Sequence, residues 1–364
     1  MKHILHCHST FMLGGKEARA VQLMNAFEDV ASHVILTAVP GALAARDAID
    51  PRIKVAFPDD APSLQGKPSL GRYRTLARYM RQFDLVLTYN WGSMDAVGAR
   101  RLFPKGCPPL IHHEDGFNAD EADKLNWKRN LFRQLTLDAA RDVVVPSRRL
   151  ESIATLRWRR PDVIRIPNGI DVSAYAAPPK SDAIPGLIKR EGEVIIGTLA
   201  GLRAVKNLPR LVRAVAPIPD ARLVIVGEGP EREAILAEAG DCGMANRINM
   251  PGFLPHPSRY IGLFDIFALS SDSEQFPISL VEAMAAGLPA VSTDVGDVAT
   301  MVSAENRAFV VPVSDEAAFA QAIRTLANDP ALRTQIGAAN RALALSDYDE
   351  AAMIARYATL YGLA

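Results

Sequence analysis

The 364-residue chain is poor in cysteine. Its three thiols, Cys7, Cys107 and Cys242, lie far apart and form no C-x-x-C pair, which excludes a cysteine-based zinc site and suits a reducing compartment. Neither charge is in excess, since 41 Lys and Arg balance 41 Asp and Glu. Nucleic acid is therefore not expected as a partner, because binding a phosphate backbone requires a basic surplus. No apolar run approaches the roughly 18 residues of a membrane span. The opening "MKHILHCHSTFMLGG" carries one lysine and an apolar stretch interrupted by histidines, so a first strand is expected there, not a signal peptide, and a cytoplasmic protein. No G-x-G-x-x-G follows the first strand of either half, which disfavours a dinucleotide-dependent dehydrogenase.

What is present is a length and an apolar content, 49%, that suit two globular domains. Short runs rich in Val, Ile and Leu alternate with helical patterns: "HILHCHS", "HVILTAV", "DLVLTYN", "PLIHHED" and "DVVVPS", then "VIIGTLAG", "ARLVIVGEG", "DIFALSS" and "PAVSTD". Runs without polar alternation mark strands buried on both faces of a parallel sheet. The expected fold is α/β, with two doubly wound Rossmann-like domains and ligand at the carboxyl ends of the strands. The expected division is residues 1–172, a proline-bearing linker over 173–192, a second domain over 193–345, and a last helix within 346–364 that returns to the first domain.

The stretch "SSDSEQFPISLVEAMAAGLPAVSTDVG", residues 270–296, carries the clearest chemistry. A strand, "DIFALSS", runs into the turn "EQFP" and then a helix, with Pro277 suited to its first turn and Gly287 with Pro289 to its end. Its N-terminus presents backbone N–H groups and a partial positive charge, suited to phosphate. Glu282 lies about one turn in, where a carboxylate can accept two hydrogen bonds from a vicinal diol such as ribose. Glu274 sits in the turn, nearer to whatever the phosphate carries. In "GTLAGLRAVKNLPRLVRA", a glycine turn after a strand carries Arg203 and Lys206, two cations able to neutralise a diphosphate without metal. Together these segments point to a nucleotide sugar lying across a helix end.

In this order the motifs resemble those of the retaining glycosyltransferases of family 4, with the GT-B fold of two domains facing each other across a cleft, and the likeness runs over nearly the whole chain. Glu274 and Glu282 form the E-x7-E signature, followed by "EAMAAGLPAVSTDVGDV"; "GGKE" (14–17), "VVVPSRRLESIA", "IPNGIDVSAY", "GLRAVKN" and "YDEAAMIARYATLYG" also match. The resemblance implies that Glu282 holds the donor ribose, Glu274 a sugar hydroxyl, and Arg203 and Lys206 the diphosphate. It implies that Gly14 and Gly15 bring backbone N–H groups close to donor or acceptor, where a Cβ would obstruct. In "PLIHHEDGF" it places a histidine near the transferred sugar. Strand alternation favours His113, because it turns His112 the opposite way.

Departures from the family pattern assign further roles. Arg203 and Lys206 are closer together than the commoner spacing. Pro277 stands where glycine is frequent and has no N–H, leaving Phe276 and Ile278 as donors. The "EDGF" after the histidines makes Glu114 and Asp115 acceptor-side candidates beside His112. The one D-x-D, Asp347 with Asp349, precedes the last helix and is expected to cap it, so neither metal nor cofactor is expected.

Each candidate also has a plain structural reading: a helix acid for Glu274, surface cations for Arg203 and Lys206, a core histidine for His113. The implied activity is transfer of a UDP- or GDP-sugar to an acceptor hydroxyl with retention, in surface polysaccharide, lipopolysaccharide or glycolipid synthesis. Alternatives are a sugar-nucleotide epimerase, a phosphorylase, or a non-catalytic nucleotide-sugar-binding subunit.

Residues 124–165 hold eleven Lys and Arg against four Asp and Glu. "GRYRTLARYMRQF" sets Arg72, Arg74, Arg78 and Arg81 around an apolar stripe of Tyr73, Leu76, Met80 and Phe83. A first domain so polarised is expected to contact an anionic membrane that bears a lipid-linked acceptor, unless these are simply solvated helix faces.

Overall fold

A computed structural model describes residues 1–12, 14–117, 121 and 125–364. The chain divides into two compact units: Met1–Asn168 with Ala352–Ala364, and Gly169–Ala351. Lys124, where the basic stretch begins, lies outside the described residues.

The first unit runs β1 (Lys2–His8), α1 (Gly15–Phe27), β2 (Ala31–Thr37), β3 (Val55–Ala56), α2 (Leu70–Met80), β4 (Leu85–Tyr89), α3 (Met94–Leu102), β5 (Leu110–His113), α4 (Trp127–Thr136), β6 (Asp142–Val145), α5 (Arg148–Arg157) and β7 (Ile164–Arg165). The second runs β8 (Val194–Leu199), α6 (Leu208–Val215), β9 (Ala221–Val226), α7 (Arg232–Asp241), β10 (Ile248–Gly252), β11 (Ile266–Leu269), α8 (Ile278–Ala285), β12 (Ala290–Thr293), α9 (Val298–Met301), β13 (Val310–Val311), α10 (Glu316–Asn328) and α11 (Pro330–Asp347). The last helix, α12, spans Glu350–Tyr361.

Both sheets are parallel, with strand orders β3-β2-β1-β4-β5-β6-β7 and β10-β9-β8-β11-β12-β13. In each, the chain starts near the middle, builds outward to one edge, then returns to build the other. The reversal falls between β1 and β4 and between β8 and β11, so the loops leaving those strands diverge and open a crevice at their carboxyl ends. Each sheet is covered on both faces. Leu5, Cys7 and Val86 belong to one apolar cluster of the first unit, and Ile4, Leu85 and Leu87 to the other. Residues i and i+1 of these strands thus enter opposite cores, which is why apolar residues occupy consecutive positions along them.

Local chemistry fixes the helix starts. Ser69, Ser147, Asp315 and Asp329 each accept a backbone N–H from the first turn of α2, α5, α10 and α11, and Asn126 does the same for α4. Asp349 accepts the N–H of Ala351 at 3.0 Å at the head of α12.

The expected linker differs from what is found. Residues 173–192 belong to the second unit, because Ile184 and Leu187, with Val172 just before them, are buried in its core. The apolar stripe of α2 is likewise core: Tyr73, Leu76, Met80 and Phe83 are buried among Leu5, Val34 and Val97. Arg72 is spent within the fold, bonding Asp95 at 2.6 Å. Arg74, Arg78 and Arg81 remain exposed. α2 therefore offers solvent charge but no apolar face.

Candidate functional site

The second unit's site is assembled where β8 and β11 end. After β8, residues 201–207 turn through a short 3-10 stretch, and Asn207, with φ 42°, redirects the chain into α6. After β11, residues 270–277 form the loop that leads into α8. Several contacts stitch these loops together, among them the Ser270 hydroxyl donating to the Lys206 carbonyl at 2.9 Å, the Asp272 N–H to the Val205 carbonyl at 2.8 Å, and Arg210 to the Ser270 carbonyl at 3.0 Å. On the far side, Thr293 at the end of β12 donates to the Ser271 carbonyl at 2.6 Å. Gly296, with φ +57°, lies so close that a Cβ there would sit 2.6 Å from the Glu274 carbonyl oxygen; a side chain at 296 would be strained and would push this loop aside.

Held in this way, Lys206 forms an ion pair with Glu274, and Ser271 donates to the same carboxylate oxygen at 2.7 Å. Both side chains are only slightly exposed, 15% and 12%, so the pair is weakly screened by water. Two residues from separate sequence motifs are thus neighbours. Arg203 is on the same turn and exposed.

Glu282 occupies a different corner. It lines a pocket of about 490 Å³ with Gly201, Gly227, Glu228, Phe253, Tyr260 and Ser279. Neither Glu274 nor Lys206 belongs to this lining. Tyr175 donates to Glu282 Oε1 at 3.2 Å. Burial pushes the Glu282 carboxyl up to about 7, against a weaker downward pull from the Tyr175 hydrogen bond. Burial and the Glu282 charge in turn raise the Tyr175 phenol above its ordinary value. α8 begins at Ile278 with Pro277 as its extended N-cap, so Phe276, Pro277 and Ile278 do form the helix entrance, where first-turn N–H groups lack intrahelical partners.

Sequence reasoning missed Tyr175, although it lies within "IPNGIDVSAY", and the "GEGP" turn after β9. Gly227 and Gly229 lie at φ +144° and +154°, where a Cβ would meet the Ala200 and Leu202 carbonyl oxygens at 1.9 and 2.4 Å. Two glycines in three residues at a strand end were the available signal for such a close approach. Phe253, 68% exposed on the lip of the pocket, was also missed.

The first unit gathers its candidates around the ends of β1, β4 and β5. Asp115 pairs with Arg19 through both carboxylate oxygens, and its backbone N–H donates to the Asn90 side-chain oxygen at 2.7 Å. Arg19 also reaches Asn168 at 3.0 Å. Gly14 is the extended N-cap of α1. A Cβ at Gly14 would lie 3.0 Å from a Glu17 oxygen, whereas one at Gly15 would meet nothing within 4 Å.

The histidine expectation requires correction. His112 and His113 do point to opposite sides, but both are fully buried. His113 Nδ1 faces the Thr88 carbonyl at 3.3 Å and Nε2 the Tyr361 hydroxyl at 2.8 Å, and its ring stacks on Tyr89. Burial, followed by the Arg19 charge, holds its imidazole well below the ordinary value, so it is a neutral core histidine with both nitrogens occupied. His112 bonds Thr88 Oγ1 at 2.9 Å on the other face. Glu114 is also no acceptor contact: it is fully buried against Arg133, 2.8 Å away, and 3.5 Å from His112. Burial raises that carboxyl, but Arg133 and His112 outweigh it, and the net shift is downward. Of the acceptor-side candidates, Asp115 alone keeps partial exposure, 11% of its side chain.

A family model described as glycosyl transferases group 1 matches residues 180–343, and one for Glycosyltransferase Family 4 matches residues 13–174. The N-acetyl-alpha-D-glucosaminyl L-malate synthase of Bacillus anthracis is 28% identical over 174 residues, 47% of this chain and 46% of that protein. The lipopolysaccharide core biosynthesis glycosyltransferase LpsD of Rhizobium meliloti is 28% identical over 156 residues, 43% of this chain and 46% of its own length. The chain thus spans about half the length of the curated relatives it matches. Among solved structures, HepE of Anabaena in complex with UDP aligns with a TM-score of 0.80 at 20% identity, covering 100% of both chains, a likeness of fold. With two parallel-sheet units of the GT-B kind and a family model on each, the chain belongs to the family 4, group 1 glycosyltransferases.

Proposed function

We propose that the protein is a retaining, metal-independent glycosyltransferase that moves a sugar from a UDP- or GDP-sugar to an acceptor hydroxyl, in synthesis of surface polysaccharide, lipopolysaccharide or glycolipid. The observation that carries this proposal is the arrangement after β8 and β11: a cation pinned beside Glu274, a helix entrance, and a half-buried Glu282 in its own pocket. Glu282 accepts the ribose hydroxyls, Phe253 offers an aromatic face to the base, and Glu274 contacts a sugar hydroxyl. Lys206, Arg203 and the N–H groups of Phe276 and Ile278 take the diphosphate. As the bond from the anomeric carbon to the phosphate oxygen breaks, these cations and dipoles stabilise the negative charge that develops on the leaving group. The acceptor oxygen attacks from the same face through an oxocarbenium-like state, which retains configuration. On the first unit, Gly14 and Gly15 supply backbone approach, with open space at Gly15 that the fold itself does not require. Asp115, which keeps 11% of its side chain exposed beside Arg19, meets the acceptor in this reading, and the acceptor is proposed to be lipid-linked and presented at an anionic membrane.

The test is thermal stabilisation by UDP, GDP, ADP and their common sugars with EDTA present, on wild type and Glu282→Ala, followed by transfer assays with the donor so found. The UDP complex of HepE makes uridine the first base to try. At about a hundred times its dissociation constant a ligand adds roughly 2.7 kcal/mol. Stabilisation of wild type but not Glu282→Ala supports the donor site. Equal or absent shifts refute it, turnover of donor without acceptor indicates an epimerase, and binding without turnover indicates a binding subunit.

A further inference from the structure

α4 buries only Arg133 and Thr136 of its ten residues. Trp127, Leu131 and Leu135, spaced i, i+4 and i+8, are 68%, 45% and 60% exposed, so one straight apolar stripe faces solvent along the whole helix. Its opposite side is anchored in the fold: Arg133 is fully buried against Glu114 and over the rings of Trp91, Phe117 and Trp158. The stripe is therefore held rigidly in the exposed position. Its borders are cationic. Lys128 lies 5.8 Å from the Trp127 ring. On the other side, Gln134, with its amide turned to accept, takes an N–H from the exposed Arg159 at 2.6 Å. No Asp or Glu occurs between positions 125 and 137. An indole, two leucines and flanking cations form the surface that an anionic bilayer accepts, with the apolar groups at the acyl boundary and the cations among the headgroups. The same helix turns Phe132 inward, where it lines a pocket of about 560 Å³ with Ser9, Leu64, Trp91 and Asp95 at the carboxyl ends of β1 and β4.

We propose that the Trp127–Leu131–Leu135 face of α4 seats the first unit on an anionic lipid bilayer, so that the pocket behind Phe132 opens beside the membrane surface. This rests on the lipid-linked acceptor proposed above. It differs from the sequence expectation in its element, because the stripe of α2 is buried in the core.

Flotation with vesicles of phosphatidylcholine alone, and of phosphatidylcholine with phosphatidylglycerol, tests the proposal. Wild type is expected to float with the anionic vesicles only. Trp127 is far more exposed than Trp158, which is 1% exposed, or the half-buried Trp91, so a blue shift of tryptophan fluorescence on binding reports Trp127. Trp127→Phe should lose that shift and keep most binding. The triple variant Trp127→Ser/Leu131→Ser/Leu135→Ser should bind about tenfold more weakly or worse, with its thermal midpoint unchanged. Arg74→Glu/Arg78→Glu on α2 should bind nearly as wild type. The proposal is overturned if the triple variant binds like wild type, if wild type binds neither vesicle at low salt, or if light scattering shows the triple variant converting a dimer to monomers. Nucleotide stabilisation on the same samples separates the two claims: its survival with vesicle binding lost from wild type removes only the membrane face, and the reverse removes only the donor site.

Discussion

Glu282 sits at the meeting point of an open pocket and a helix that has no basic residue in its sequence, ISLVEAMA. Its carboxyl is pushed from the ordinary 4.5 to about 7. The folded state therefore holds a proton that the unfolded chain releases between those two values. Stability from this group is complete below about 4.5 and declines as pH rises through about 7. Glu282→Gln removes the decline: at pH 8 the variant should exceed wild type in unfolding free energy by on the order of 1–3 kcal/mol, and at pH 4 the two should agree. Urea midpoints at both pH values check this. Glutamine offers one acceptor oxygen where a carboxylate offers two, so the same variant should lose nucleotide affinity while gaining stability. Lys206 invites the complementary experiment. Lys206→Met should fold but transfer sugar about 10²–10³-fold more slowly, read from initial rates in EDTA. Sequence spacing placed Glu282 on the right turn of α8, yet its burial was not legible, because the covering Tyr175 lies 107 residues away. The histidines failed for a related reason. Alternation does separate His112 from His113, but in a sheet covered on both faces neither side is a ligand side.

At the scale of elements, the long runs β1, β2, β4, β8 and β9 were legible because burial on both faces sets apolar residues at consecutive positions. β3, β7 and β13 span two residues each, too few to show any period. β10 is a half-buried edge strand containing Met250, Pro251 and Gly252, a composition that reads as a turn. The linker was misread because prolines signal breaks, whereas the decisive feature is the pair of apolar anchors Ile184 and Leu187. Helix packing provides the sharpest test here. A Cβ at Gly337 of α11 would sit 1.9 Å from the Gly287 carbonyl oxygen at the end of α8, and neither backbone can yield. Gly337→Ala should displace α8, lower stability by about 1–3 kcal/mol or more, and weaken nucleotide-dependent stabilisation because Glu282 moves with its helix. Gly240 of α7 meets nothing within 4 Å, so Gly240→Ala should be neutral or add up to about 1 kcal/mol. Equal melting of the two variants would refute the packing account.

For the whole molecule, the chain's end belongs to its beginning. Ala352–Ala364 forms part of the first unit, burying Met353, Tyr357 and Tyr361 among Ile4, Leu87 and Ile111. Lys2 bonds the Tyr361 carbonyl at 2.6 Å, and Arg356 the Arg165 carbonyl at 2.7 Å. Tyr361 also occupies the buried Nε2 of His113. The residues proposed to hold the donor, Tyr175, Arg203, Lys206, Glu274 and Glu282, by contrast, all lie in the second unit. Removing residues 352–364 should therefore affect the units unequally. Loss of each large buried side chain costs about 3–5 kcal/mol, and three together rival the roughly 5–15 kcal/mol that holds a whole domain folded. In the truncated protein the first unit should lose hydrogen-exchange protection in β1, β4 and β5 and become open to trypsin, while β8, β9 and β11 stay protected and whichever nucleotide stabilises the full chain still stabilises what remains. Uniform loss of protection across both sheets would show that the second unit cannot hold the donor site unaided. Undiminished protection in β1 would show that the aromatic cluster around His113 is dispensable.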